Sequence, residues 1–426
     1  MTSATSLPLH QQTYSLEHDR FVNLLATTEN LLIIQDLDGV CMGLVKDPLD
    51  RQIERDYVTA TQAFEGHFYV LTNGEHIGQR GVNGIIERAF GDAAAVREQG
   101  HYLPGLAAGG VQWQTRQGDI DHPGVSEAEL AFLEQVPDRI RATLRTFAQE
   151  HDLSLDDATL ERCIQSSALE NMASPTANLN TFHEALGSDR DTYVALQKTM
   201  QTLMDTLLQE AAEQGLEGSF FVHYAPNHGR DASGNEVIWL SQENESGTTD
   251  FQFMLRGAIK EAGVLALLNR YYAQRTGTYP LDKNFSVRTA PHDHEALLEL
   301  VKAKFDPAHM PLLVGVGDTV TSKVMNVDGE MVAKRGGSDR NFLRLVQDIG
   351  RAFNQGNVVV YVDSSGGELK NRKALKLQEQ QGVTQVIEGP GDPLDKTDPL
   401  TLNVVFPGGY GQYCAAFSAA ANQRKR

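Results

Sequence analysis

Cysteine is scarce in this sequence. Cys41, Cys163 and Cys414 are the whole complement of 426 residues, odd in number and far apart, which argues against a disulfide framework or a zinc site and fits a reducing cytoplasm. Long apolar runs are absent: nowhere do eighteen apolar residues follow one another, and the polar start through Tyr14 has no apolar leader segment. Positive charge is short as well. With 37 Lys and Arg against 56 Asp and Glu, the formal net charge is -19, so nucleic acid and anionic membrane are not expected as main partners. No Gly-Lys-Ser/Thr occurs, and Gly315-x-Gly317 lacks the helix fingerprint of a dinucleotide site, so nucleotide-loop readings fail. A soluble cytosolic protein is expected.

What is present is a globular composition, 41% hydrophobic and 22% charged, long enough for one large domain or two ordinary ones. The chain is organised around Leu31-Leu32-Ile33-Ile34-Gln35-Asp36-Leu37-Asp38-Gly39-Val40. Four apolar residues running into acids and Gly read as a buried parallel strand entering a loop. Asp36 and Asp38 then stand at the strand's carboxyl end, where open α/β sheets hold their ligands. Two such carboxylates can divide a phosphoryl transfer: one attacks phosphorus, the other protonates the leaving alcohol and then deprotonates water. A hard cation such as Mg²⁺ would complete the site. Asp-x-Asp-Gly is also an ordinary turn signature, and these residues alone leave both readings open. A calcium loop fits less well, because Val40 stands where a third oxygen ligand is needed.

Around this stretch the pattern alternates. Ser15 is placed to cap a helix bearing Phe21, Leu24 and Leu25. A helix near Glu54 to Phe64 precedes Phe68-Tyr69-Val70-Leu71-Thr72-Asn73-Gly74, a second strand ending at Thr72, whose hydroxyl can bind a phosphoryl oxygen. From about Gly124 helices dominate. Ser126 and Glu129 make a capping box, Pro137 restarts the helix, Ser154 with Asp157 begins another, and Asp191 to Glu210 carries an apolar stripe that reads as core. A strand at Ser219 to Tyr224 and a polar loop with Asn227, His228 and Arg230 close this part. The α/β pattern then resumes: a helix from about Phe251 to Tyr272 carries Lys260, and Leu312 to Gly317 and Val358 to Val362 are apolar strands ending at Asp318 and Asp363. His292-Asp293-His294 reads as a helix start rather than a metal site. Met325 to Val332 has the look of a hairpin with an Asp328-Gly329 turn, and the loop from Gly389 to Asp398 is expected on the surface.

Strand-Asp36-x-Asp38, strand-Thr72, a helical Lys260 and strand-Asp318 stand in the order of the four motifs of the haloacid dehalogenase superfamily, and the chain resembles that superfamily's phosphatases. The resemblance implies Asp36 as nucleophile, Asp38 as general acid/base, Thr72 and Lys260 as phosphate holders, and a Mg²⁺ held by Asp36, Asp38 and Asp318. Ser322 stands where the fourth motif has a second acid. Asp339, in Ser338-Asp339-Arg340-Asn341, is expected to supply that ligand after an insertion, or else to cap a helix. The implied fold is a Rossmann-like parallel-sheet core with an inserted helix-rich α+β cap: core over 1–123 and 251–426, cap over 124–250.

Asn73-Gly74-Glu75-His76, Ser174 to Asn180, Phe221 to Asn227 and Ser246 to Phe251 further resemble the glucosylglycerol-phosphate phosphatase family of cyanobacteria. That resemblance implies Mg²⁺-dependent hydrolysis of glucosylglycerol 3-phosphate in making a compatible solute under salt stress, and a possible partnership with the glucosylglycerol-phosphate synthase. A neutral sugar head needs hydrogen-bonding groups rather than charge. Asn73, Gly74, Glu75, His76, Asn178, His223, Asn227 and Thr249 are the candidates, with Arg230 for phosphate. The alternatives are sucrose- or trehalose-phosphate as substrate, or a non-catalytic sugar-phosphate-binding regulator.

Overall fold

The structure is a computed structural model that describes residues 7–424 apart from 46–47, 79, 188, 231–235, 243–244, 328 and 370–371. The chain divides into two compact units. One comprises residues 1–76, 80–124 and 259–426, the other 77–79 and 125–258.

The first unit is built on an eight-stranded sheet. Its strands are β1 (Leu31–Gln35), β2 (Phe68–Leu71), β3 (Gly105–Ala107), β4 (Gln112–Gln114), β5 (Ile120–Asp121), β6 (Leu312–Gly317), β7 (Val358–Val362) and β8 (Val404–Phe406). They lie in the order β8-β7-β6-β1-β2-β3-β4-β5. The six strands from β8 to β3 run parallel, and β4 and β5 turn antiparallel at one edge. Every residue of β1, β2 and β7 is buried, because helices cover both faces of a parallel sheet. This is why those strands read as unbroken apolar runs. The polar exception in β1 is satisfied from two helices: Gln35 Nε2 donates to Tyr57 Oη and Tyr413 Oη donates to Gln35 Oε1, each at 2.6 Å. Two exposed hairpins, Thr321–Val327 with Glu330–Gly336 and Lys376–Gln380 with Val383–Glu388, project from this unit. The turn residue Asp328 lies outside the described residues. All three cysteines are buried and unpaired.

The second unit has a four-stranded antiparallel sheet, in the order Ala168–Leu169, Thr176–Asn178, Asp250–Leu255, Phe220–Ala225. Helices Glu127–Glu150, Asp157–Ser167, Asn180–Leu186 and Arg190–Glu213 belong to it. The expected capping box is formed, with Ser126 Oγ accepting from Glu129 N and the Glu129 carboxylate accepting from Ser126 N.

Several local expectations fail for identifiable reasons. The helix expected from Phe251 is a strand to Leu255 and a helix only from Lys260. Phe251, Phe253 and Leu255 alternate buried with Gln252 and Met254, and this period of two prevails over helical propensity. Pro137 lies inside one continuous 24-residue helix and does not restart it. Ser15 does not cap the first helix, which starts at His18; its backbone instead bridges to Val404 beside β8. Asp156, not Ser154, caps the helix Asp157–Ser167 by accepting from Thr159 N.

Candidate active site

Three adjacent strands of the first unit end in the polar residues singled out from the sequence. β6, β1 and β2 are neighbours in parallel register, so Asp318, Asp36 and Thr72 emerge side by side at the carboxyl edge. Asp36 N donates to Val316 O at 2.9 Å and Thr72 N to Leu106 O at 3.0 Å, which extends the ladder one residue past each strand and fixes both backbones. A side chain on a continued ladder has little freedom to swing away.

Lys260 is the first residue of the helix Lys260–Thr276. Its Nζ lies 2.9 Å from Asp36 Oδ2 and 2.7 Å from Asp339 Oδ1, with the lysine and both acids buried. Asp339 Oδ2 accepts from the backbone N–H groups of Asp318 and Thr319, at 2.9 and 3.0 Å. The Asp339 carboxylate is therefore engaged at both oxygens. It makes no side-chain hydrogen bond to the helix Arg340–Phe353 that follows it, so the capping alternative fails. Gly317 allows this approach, because a Cβ there would come within 2.7 Å of the Asp339 Cβ.

Asp36, Asp318 and Asp339 can bring one carboxylate oxygen each within 4.8 Å of one another. Three buried acids face one buried lysine, with a single further cation among the described residues, Arg372, 3.7 Å from Asp318 Oδ2; negative charge remains in excess, and the protonation of the acids reflects it. Burial first, then the Asp339 charge, push the Asp36 carboxyl well above its ordinary range, with Lys260 opposing. Burial and Asp339 push Asp318 up to about 6. Asp339 is held below its usual value despite burial, because Lys260 and the two backbone donors favour its charged form. Asp36 Oδ1 and Asp318 Oδ2 are buried atoms without a hydrogen-bond partner. A buried carboxylate oxygen without a hydrogen bond is costly, and a hard cation is the species that two such atoms suit. The cluster can thus hold a metal ion. Gly39, at φ +78, belongs to the same fit, since a Cβ there would lie 2.3 Å from Asp318 Oδ2.

Asp38 stands at the rim, half-exposed. A methyl placed on Gly74 would lie 3.7 Å from Thr72 Oγ1 and 4.0 Å from Asp38 Oδ2, so these two groups border one gap. Two arginines not anticipated from the sequence join here. Arg51 Nη1 donates to both Asp38 oxygens, at 3.1 and 2.9 Å. Arg372 Nε lies 3.7 Å from Asp318 Oδ2, and its Nη2 donates to Thr319 Oγ1 at 3.2 Å. Both come from loops, where no periodicity or fixed spacing could have marked them.

The proposed sugar-reading residues separate. In the first unit, Asn73 is exposed and Gly74 half-buried, while Glu75 and His76 are buried. His76 has no exposed surface. Its backbone N–H donates to Gln112 Oε1 and its Nε2 to Gly105 O, so it ties the Thr72 loop to the sheet and is a core histidine, contrary to its expected role. In the second unit, Asn178 Nδ2 and Thr249 Oγ1 donate to the two oxygens of Asp250, at 2.7 and 3.0 Å. Glu236 Oε2 accepts from His223 Nδ1 at 2.8 Å, Tyr224 N at 2.9 Å and Asn227 Nδ2 at 3.1 Å. Glu236 was not foreseen, because it stands 13 residues from His223 and 9 from Asn227, separations that no helical or strand period marks. The Arg230 side chain lies outside the described residues.

Residues 30–421 match the model of the glucosylglycerol-phosphate phosphatase family. A curated relative from Synechocystis sp., named glucosylglycerol-phosphate phosphatase, is 60% identical over 417 residues, which is 98% of each chain. The chain belongs to this family. Among solved structures, it is similar to the trehalose-6-phosphate phosphatase of Aspergillus fumigatus, at 10% identity and TM-score 0.38 over 96% of this chain and 99% of that one. The trehalose-6-phosphate phosphatase C-terminal domain of C. albicans is similar at 9% identity and TM-score 0.43, over 96% and 98%. Among the described residues, no helix is long and apolar enough to cross a membrane.

Proposed function

We propose that this protein is a Mg²⁺-dependent phosphatase that converts glucosylglycerol 3-phosphate to glucosylglycerol and phosphate through an aspartyl-phosphate on Asp36. The 60% identity to a curated phosphatase of that name, maintained over 98% of both chains, carries the choice of substrate. The convergence of Asp36, Asp318, Asp339 and Lys260 supports the chemistry.

In the first step the Asp36 carboxylate attacks phosphorus, the bond from phosphorus to the ester oxygen breaks, and Asp38 gives its proton to the departing alcohol. In the second, water attacks the acyl-phosphate, Asp38 takes back a proton, and inorganic phosphate leaves with Asp36 restored. Lys260 and the Thr72 hydroxyl hold phosphoryl oxygens. Asp36, Asp318 and the Asp38 backbone carbonyl would hold Mg²⁺, which when bound offsets the repulsion between an anionic nucleophile and an anionic substrate. Asp339, expected as a further ligand, belongs to the same acidic cluster, but its oxygens are taken by Lys260 and by the Asp318 and Thr319 N–H groups, so in this reading it holds Lys260 in place and orients the Asp318 backbone.

The unit Val125–Ala258 serves in this reading as the substrate-selecting cap. His223 and Asn227, oriented by Glu236, supply hydrogen-bonding groups suited to sugar hydroxyls. Association with the glucosylglycerol-phosphate synthase belongs to the same reading and is checked by co-purification of the two proteins.

The deciding experiment is phosphate release from glucosylglycerol 3-phosphate, trehalose 6-phosphate and sucrose 6-phosphate, each with Mg²⁺ or EDTA. Mg²⁺-dependent release from the first alone is expected. Preference for either of the others would overturn the substrate, and equal release in EDTA would overturn the metal.

A further inference from the structure

We infer that Arg51 is a positioning residue for Asp38, aiming its carboxylate at the leaving oxygen of the substrate. This rests on the phosphatase reading above. In a displacement at phosphorus the attacking and departing oxygens lie on opposite sides, so the proton donor has to reach the side away from Asp36. Asp38 lies beyond the end of β1, with a side chain 36% exposed. A carboxylate in such a place has several rotamers open to it and water to bind, and only one direction serves the reaction.

Arg51 removes that freedom. Its Nη1 donates to both Asp38 oxygens, while its Nη2 donates to the backbone carbonyl of Arg80 at 3.0 Å. The Arg51 side chain is itself only 14% exposed. Being planar and rigid, its guanidinium ties the Asp38 carboxylate to the backbone just before the helix Val82–Phe90, downstream of the loop that carries Thr72. The proton donor and the phosphate-binding loop are thereby held in register by one side chain. Nothing in the sequence spacing announces this, because the arginine arrives from a separate loop 13 residues away.

The test separates positioning of the proton donor from a grip on the phosphate. Glucosylglycerol 3-phosphate has an alcohol leaving group that needs a proton; p-nitrophenyl phosphate has one that leaves without it. R51A is expected to lower kcat/KM for the first by roughly 10- to 100-fold, and by roughly tenfold less for the second. R51K, which keeps the charge without the fork, should fall between R51A and the parent, with all melting temperatures alike. In a D38N background, R51A should cost little more. Equal losses on both esters, or losses that add to those of D38N, would overturn the inference in favour of direct phosphate binding. Release of phosphate from neither ester by the unaltered chain would overturn the phosphatase reading itself and this inference with it.

Discussion

The Lys260 ammonium stands 2.7 Å from Asp339 Oδ1, 79 residues away in the chain and equally buried. The pair explains why a second acid is needed beyond Asp318. A lysine buried beside Asp36 alone would be poorly fixed; Asp339, itself gripped by two backbone N–H groups, anchors it. The Asp339 charge is the one its partners favour, and although Asp36 stays 2.9 Å from the lysine, breaking a buried pair of this kind costs about 3–5 kcal/mol. D339N is therefore expected to lower stability by about that amount and to abolish most activity. Its Mg²⁺ requirement should rise less than that of D318N, because the Asp339 oxygens are already bonded. Mg²⁺ titrations of activity and of melting temperature compare the two; an equal rise would make Asp339 a direct ligand.

The surroundings of Asp36 disfavour its charged form. Its carboxyl is pushed upward by burial and by the neighbouring acids, so a neutral isostere relieves repulsion. D36N should lose all measurable turnover yet melt no lower than the parent without metal. Substantial residual phosphate release would remove Asp36 from the nucleophile's role.

His76 carries a pH signature. Burial lowers its imidazole to about 4, against the pull of the Gly105 carbonyl, whereas an unfolded chain protonates it near pH 6.5. The unfolded state thus binds more protons between these values. The contribution is fully present above about pH 6.5 and is lost as pH falls toward 4, at up to about 1.4 kcal/mol per pH unit. Urea unfolding between about pH 5 and 7 should show this slope in the parent, and in H76Q a slope lower by up to one proton, the difference being greatest near pH 5. Identical slopes would mean that His76 is not held neutral.

Glu236 is the common acceptor for His223, Tyr224 N and Asn227. E236A should raise KM for the sugar phosphate by roughly tenfold, the factor expected when shared hydrogen bonds of about 1–3 kcal/mol are lost. KM for p-nitrophenyl phosphate should change far less. A matching rise for both would place Glu236 outside sugar recognition.

The strands were legible for a simple reason. β1, β2, β6 and β7 are short apolar runs buried by helices on both sides, and each ends where polarity begins. Asp36, Thr72 and Asp318 could be placed at one sheet edge from that pattern alone, because parallel strands carry their ends to the same side. The strand Asp250–Leu255 was misread because a short apolar stretch is ambiguous between periods of two and 3.6 until its partners are known. His76 was misread because residue type says nothing of burial, and its place beneath Gly105 follows from β2 pairing with β3.

By itself, then, the sequence determined the parallel core, the strand ends and the types of chemical group available there, since local patterning suffices for these. Only the tertiary structure decided which groups meet: Asp339 with Lys260, Arg51 with Asp38, Arg372 with Asp318, and Glu236 with His223 and Asn227. Those meetings depend on loop paths and on the packing of segments remote in sequence. A charged side chain is committed by the partner that compensates its desolvation, and no local pattern specifies that partner.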